Sequence, residues 1–318
     1  MTDRCKLGFM VDAPLFAWPT GDLVYLFNTV DNIRKIARIK ADLSSVVSVS
    51  TVSASAGAVS EYRGFLDGNI FFAAPQFGTQ YVGINVNNGN YAGTVTLPLL
   101  TSTARSLFDT RDYVYYPSST GNKIVKFYKD EQTYTAVTIA GGLTLLDDYG
   151  LFWDDPKGVF LISDNSPTTH TMRVVDPDTG EIGGYYGGVQ SALSGAIIDA
   201  YRGYMLAGTK TGLFGVSSNN VGMSVFELTG LNSTSGITVR AYKTHAQIAT
   251  AIGTSYYTEG NYLASNGDVF IQGNADAAGG GGPSLFLLDT NLDIVATMAD
   301  IGGWYITSYG AKAAFMWE

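Results

Sequence analysis

Residues 152–163 read FWDDPKGVFLIS: a short apolar run closed by an aspartate, a turn of Asp, Pro, Lys and Gly, then a run of strand-forming apolar residues. The same plan stands at 65–74 (FLDGNIFFAA), 107–117 (LFDTRDYVYYP) and 197–208 (IIDAYRGYMLAG). Looser copies occupy 16–27 (FAWPTGDLVYLF), 263–273 (LASNGDVFIQG) and 306–317 (ITSYGAKAAFMW). The third residues of these copies fall at 18, 67, 109, 154, 199, 265 and 308, so all the intervals but one lie between 42 and 49 residues, and that one is 66. Between the copies a second hairpin recurs, as in KIVKFYKDEQTYTAVTI (123–139), MRVVDPDTGEIGGYYGG (172–188) and SLFLLDTNLDIVATM (284–298). Each pairs two runs rich in Val, Ile, Tyr, Phe and Thr around a turn of Asp, Asn, Gly or Thr, as strands and turns prefer.

Two hairpins per repeat make a four-stranded antiparallel sheet the repeating unit, and a period near 45 residues is that of propeller blades. The chain is therefore expected to be all-β: a seven-bladed β-propeller of four-stranded antiparallel blades, in one domain spanning 1–318. Seven inner hairpins meet only six outer ones, and the chain ends on an inner hairpin. The spare apolar run Leu7–Val11 is expected to pair with that C-terminal hairpin and close the ring, because closure removes exposed sheet edges. Six blades with a detached C-terminal hairpin is the rival count. The long interval predicts a loop or helix insertion at about 230–260, where THAQIATAIGT (244–254) has helical composition. Long loops of this kind are often functional. ADAAGGGGPS (275–284) reads as a second, flexible loop.

The 46% of hydrophobic residues suffice for a sizeable core, while charged residues are 15%, well below the roughly 25% of an average soluble domain. Polarity must come from Ser, Thr, Asn, Gly and Tyr, a surface common in extracellular and virion proteins. The net charge of −9 argues against nucleic-acid and anionic-membrane partners. The one basic cluster, Arg34, Lys35, Arg38 and Lys40, reads as the solvent face of a strand pair. A single cysteine, Cys5, excludes an internal disulfide. Residues 1–20 lack the charged start, apolar stretch and cleavage site of a signal peptide, and no apolar run approaches a membrane span. The expectation is a protein made in a host cytoplasm.

The units RVVDPDTGEIGG (173–184) and LFLLDTNLDIVA (285–296) resemble blades of the YVTN and quinoprotein-like propeller families, in which an apolar strand ends at Asp and a Thr-Gly-type turn follows. The resemblance covers about two strands per blade and implies architecture only. The cofactor ligands of quinoprotein dehydrogenases are not recognisable here, and the Trp-Asp pair of WD40 repeats occurs once, as Trp153-Asp154, in the wrong strand. The low charge and the Gly, Ser, Thr and Tyr content are similar to those of phage structural proteins.

Acid–base chemistry near neutral pH has little material: the only histidines are His170 and His245, both in predicted loops. Asp67, Asp109, Asp154 and Asp199 each end an inner strand. On one face of a propeller they could form a ring of carboxylates able to take Ca²⁺, an oxygen-loving cation. The plainer reading is turn chemistry, a carboxylate accepting backbone N–H groups two residues on. Asp176-Pro177-Asp178-Thr179-Gly180 likewise reads as a hairpin turn and not as a calcium loop. The doublets Asp147-Asp148 and Asp154-Asp155 put neighbouring carboxylates on opposite faces of a strand, which disfavours paired-carboxylate catalysis. Tyr115-Tyr116, Tyr185-Tyr186 and Tyr256-Tyr257 read mainly as packing between blades, with one ring of each pair expected to face outward.

These features point to a non-enzymatic structural or interaction protein with no cofactor, a phage virion component of the tail or capsid that uses a propeller to dock other virion proteins. A glycan-binding surface-recognition module is the alternative, carried by loops and tyrosines. A metal-dependent propeller hydrolase using the four aspartates is the second.

Overall fold

Leu23–Asn28 reads LVYLFN, apolar at every position but the last, so its side chains must be covered on both faces of the sheet and its backbone on both edges. In the computed structural model this strand, β1, pairs antiparallel with β2 (Arg34–Ile39) on one edge and with β24 (Lys312–Phe315) on the other. The structure describes residues 17–29, 31–57, 59–75, 79–100, 107–118, 120, 122–142, 151–154, 159–164, 171–186, 206–216, 222–233, 236–254, 264–273, 282–305 and 312–318.

Among these residues the strands form six four-stranded antiparallel sheets. The first runs β24-β1-β2-β3, with β3 at Val46–Thr51. The second takes β4 to β7 in chain order: Val59–Asp67, Ile70–Pro75, Gln80–Asn85 and Tyr91–Thr96. The third takes β8 to β11: Phe108–Asp109, Tyr113–Ser118, Lys123–Tyr128 and Thr133–Thr138. The fourth takes β12 to β15: Leu151–Asp154, Val159–Asp164, Thr171–Val175 and Ile182–Tyr186. The fifth takes β16 to β19: Leu206–Thr209, Gly212–Val216, Gly222–Leu228 and Ile237–Thr244. The sixth takes β20 to β23: Ala264–Ser265, Val269–Gly273, Leu285–Asp289 and Ile294–Met298. One α-helix, α1 (His245–Ile252), follows β19. Its N-cap Thr244 makes a reciprocal capping box with Gln247, and Gly253 closes it in the left-handed region.

The chain divides into two compact units, Met1–Ala17 with Leu97–Ser217 and Met223–Tyr242, and Trp18–Thr96 with Ser218–Gly222 and Lys243–Glu318. In the second unit β1 is the middle of a sandwich. Leu23, Tyr25 and Phe27 pack with Leu285, Leu287 and Phe315 on one face. Val24 and Leu26 pack with Leu66, Phe71 and Ile84 on the other. In the first unit Phe160 meets Phe108 edge-on at 5.2 Å and Tyr115 at 5.5 Å, joining the third and fourth sheets.

Both units dock sheets by one device. The turn between the third and fourth strands reaches the end of the preceding sheet's fourth strand. Ser53 N–H donates to Gly89 C=O, and Ala140 N–H to Gly180 C=O, each at 2.9 Å. Both glycines have positive φ, +72° and +75°, and a Cβ on either would lie 2.2 Å from a backbone oxygen, of Thr51 or Thr138.

Three expectations change. Ala17–Thr20 is irregular, not an inner strand, and its place in the first sheet belongs to β24. Pro19 has no N–H for a ladder, and Trp18 instead lies over Gly267, where a Cβ would come within 2.6 Å of the ring. In the fifth sheet YMLAG supplies β16, which stands first and not second, while Ile197–Asp199 lies outside the described residues. The predicted insertion is half strand: β19 covers 237–244, and only the helix follows the expectation. Leu7–Val11, the expected closing strand, and residues 275–281 of the glycine-rich loop also lie outside the described residues.

Candidate functional site

The candidate carboxylates share a topological position. Asp67, Asp109 and Asp154 are the last residues of β4, β8 and β12, the first strands of their sheets. Asp199 lies outside the described residues, as do Asp147, Asp148, Asp155, His170, Tyr256 and Tyr257. Asp109 is committed within its own sheet: the Lys129 ammonium, with 1% of its side chain exposed, lies 2.6 Å from Asp109 Oδ1. The same ammonium donates to Thr110 C=O at 2.5 Å. A cation entering there would have to displace a buried lysine. Among the described residues no three His, Cys, Asp or Glu side chains gather as a metal site would require. His245 is the first residue of α1.

Turn chemistry appears instead in the turns after the third strands. Asp176 Oδ1 accepts from the N–H groups of Asp178 (2.8 Å) and Thr179 (3.2 Å). Asp289 Oδ1 accepts from Asn291 (2.8 Å) and Asp293 (2.9 Å). Asn85 Oδ1 does the same for Asn87 at 3.0 Å. These side chains hold their own hairpins.

The basic cluster is not one surface. Lys35 is buried on the face of β2 opposite Arg34 and Arg38, donates to Thr51 Oγ1 at 2.9 Å, and lies 4.1 Å from the centre of the Trp304 ring. Arg38 and Lys40 both pair with Asp22, at 2.6 and 3.1 Å. Burial alone would push the Asp22 carboxyl up, but the hydrogen bonds and charges of Arg38 and Lys40 outweigh it and hold the carboxyl below its usual range.

On the third sheet the Lys126 ammonium sits among three tyrosines, 4.4 Å from the Tyr113 ring centre, 5.3 Å from Tyr115 and 5.6 Å from Tyr128. Asp178, from the fourth sheet, is 3.4 Å away. Burial works against the lysine's charge, yet Tyr115 and Asp178 raise its pKa above the usual lysine range. Burial likewise pushes the Tyr115 hydroxyl up to about 12, with Lys126 pulling the other way. The cage is filled by the protein's own cation and serves as an inter-sheet clamp. Tyr115 and Tyr116 are both buried, so neither ring of that pair faces outward, because both faces of β9 are packed. Tyr185 is half-buried and Tyr186 buried.

What is left exposed lies elsewhere. The four most exposed large hydrophobic side chains among the described residues are Val295 (52%), Val47 (46%), Tyr134 (46%) and Tyr91 (45%). Each sits on the fourth strand of its sheet: β23, β3, β11 and β7. Those strands read IVATM, VVSVST, TYTAVT and YAGTVT, with no charged residue and no proline. Edge strands in soluble proteins are usually blunted by charge, proline or bulges, because their free N–H and C=O groups invite pairing. Bulges are present between the third and fourth strands of the first, second, fourth and sixth sheets. The β10–β11 ladder of the third sheet is regular over all six pairs. The uncharged runs and the outer hairpins that hold them are visible in the sequence, and the sheet order makes these strands edges.

A four-stranded antiparallel meander repeated along a chain is the blade unit of propellers. No protein-family profile matches the chain, and no curated protein matches it. Solved structures similar to it include the Swd1 β-propeller domain of Myceliophteria thermophila, at 10% identity and a TM-score of 0.42, covering 89% of this chain and 86% of that one. A nidogen/laminin complex is similar at 13% identity and a TM-score of 0.48, covering 93% and 100%. TolB from Acinetobacter baumannii is similar at 10% identity and a TM-score of 0.46, covering 86% and 62%. Likeness at this level decides nothing about function.

Proposed function

We propose that this chain is a β-propeller that acts as a non-enzymatic protein-docking scaffold, and that its place is in a phage virion, in the tail or on the capsid. The observation that carries the docking reading is the position of its exposed apolar side chains. Val47, Tyr91, Tyr134 and Val295 all lie on uncharged fourth strands, where a monomer working alone would be expected to carry charge. The virion assignment draws on composition: 15% charged residues, one cysteine and two histidines. Several polar side chains that a catalytic site could use are occupied with structure: Asp109 with Lys129, Asp22 with Arg38 and Lys40, Asp176 and Asp289 with their own turns.

Mass spectrometry of purified particles tests this. The expected result is the chain at fixed stoichiometry, with cross-links from the fourth strands to another virion protein. Steady turnover of a lactone, glycoside or phosphoester panel at enzyme-like rates, or absence from the particles, would overturn it.

A further inference from the structure

The edge of β11 differs from the other outer strands in being both unbulged and uncharged. Its backbone polarity can be worked out. Ile139 N–H donates to Asn122 C=O, one step beyond the Lys123–Thr138 pair. Antiparallel ladders alternate, so Val137, Thr135 and Thr133 turn their N–H and C=O groups toward β10. Tyr134, Ala136 and Thr138 turn theirs outward. Thr138 C=O is covered by Gly180, which leaves the N–H and C=O groups of Tyr134 and Ala136 as two pairs with no partner among the described residues. The strand begins at a turn carrying Asp130 and Glu131, both exposed. Glu131 accepts only from Thr133 Oγ1, at 3.1 Å, and neither carboxylate pairs with a cation among the described residues.

We propose that β11 accepts an extended segment of a partner protein as a fifth strand, with uncharged β-formers along Tyr134–Ala136 and a lysine or arginine beside Asp130 and Glu131. This deepens the docking reading and rests on it. Backbone pairing supplies affinity in such additions, and flanking side chains supply specificity. A second copy of this chain is the poorer occupant. Two chains of net charge −9 repel. Six paired residues span only about 20 Å, too little by themselves for the roughly 1,200 Å² of a stable interface. A flexible basic segment is attracted by the acidic turn and can add contacts beyond the strand.

The test uses the full chain and two labelled peptides, acetyl-TVTVTVKK-amide and acetyl-TVTVTVEE-amide, read by fluorescence anisotropy and by hydrogen exchange at Tyr134 and Ala136. The lysine peptide is expected to bind, to slow exchange at both amides, and to bind about tenfold tighter than the glutamate peptide. Ala136→Pro removes an N–H that the sheet's own ladder does not use, and is expected to weaken the lysine peptide about tenfold. Should that variant not fold, Asp130→Lys with Glu131→Lys is expected to reverse the preference between the peptides. Binding without protection of Tyr134 and Ala136, equal binding of both peptides, no binding of either, or a dimer in sedimentation that Ala136→Pro abolishes would each overturn the proposal. If one of these results is found while other outer strands still cross-link in the particle, the β11 site is removed and the scaffold reading stays in place.

Discussion

Gly180→Ala tests the device that docks one sheet on the next. Gly180 has φ of +75°, and a Cβ there would lie 2.2 Å from Thr138 O, a backbone atom with nowhere to swing. An L-residue in the left-handed region costs about 1–2 kcal/mol. Relieving the clash requires the turn to withdraw by roughly an ångström, since ordinary contact begins near 3.4 Å. That breaks the 2.9 Å hydrogen bond from Ala140 N–H to Gly180 C=O, a further loss of about 1 kcal/mol. The total is about 2–3 kcal/mol. Gly141 supplies the control: φ is +80°, but a Cβ there would meet nothing within 4 Å, so Gly141→Ala should lose only the conformational part, about 1–2 kcal/mol. Urea unfolding followed by tryptophan fluorescence reads both. The pair Gly89→Ala and Gly57→Ala repeats the comparison in the other unit, with Thr51 O in the role of Thr138 O. If Gly180→Ala costs no more than Gly141→Ala, the turn does not hold the sheets together and the reasoning fails.

Other outcomes follow from the same contacts. Tyr25 is fully buried and its hydroxyl finds no hydrogen-bond partner among the described residues, so Tyr25→Phe should raise stability by about 1 kcal/mol in urea unfolding; a loss of that size would show that the hydroxyl is satisfied. Asp109→Ala leaves Lys129 charged and buried and should cost about 3–5 kcal/mol, whereas millimolar calcium should leave the wild-type melting temperature unmoved; a calcium-dependent rise would restore the aspartates as a metal site. Tyr115 and Lys126 both have folded pKa values raised above their unfolded values. Their contribution is therefore complete below about pH 10 and is lost as pH rises through the folded values, Tyr115's at about 12. Tyr115→Phe should flatten the decline in stability between pH 10 and 12 by about 2–3 kcal/mol, and an unchanged slope would contradict the burial of the Tyr115 hydroxyl.

The repeat in the sequence located most hairpins because each is local. The aspartate-and-turn pattern marks β4–β5, β8–β9, β12–β13 and β20–β21, and the second pattern marks β10–β11, β14–β15 and β22–β23. What it could not supply was pairing at a distance. Lys312–Phe315 reads like the second strand of a hairpin, and only the need of Leu23–Asn28 for a second edge partner explains its place beside β1. Asp109 looks like a turn residue because its partner, Lys129, is two strands away in sequence and meets it through burial. β19 hides in the irregular 230–260 stretch because Arg240 and Lys243 interrupt its strand composition.

Hydrogen exchange of the free chain against the same chain in its native assembly tests the docking claim most directly. Protection on assembly should appear first at Val46–Thr51, Tyr91–Thr96, Thr133–Thr138 and Ile294–Met298, the exposed fourth strands. Unchanged exchange along all four, with protection confined to other segments, would contradict it.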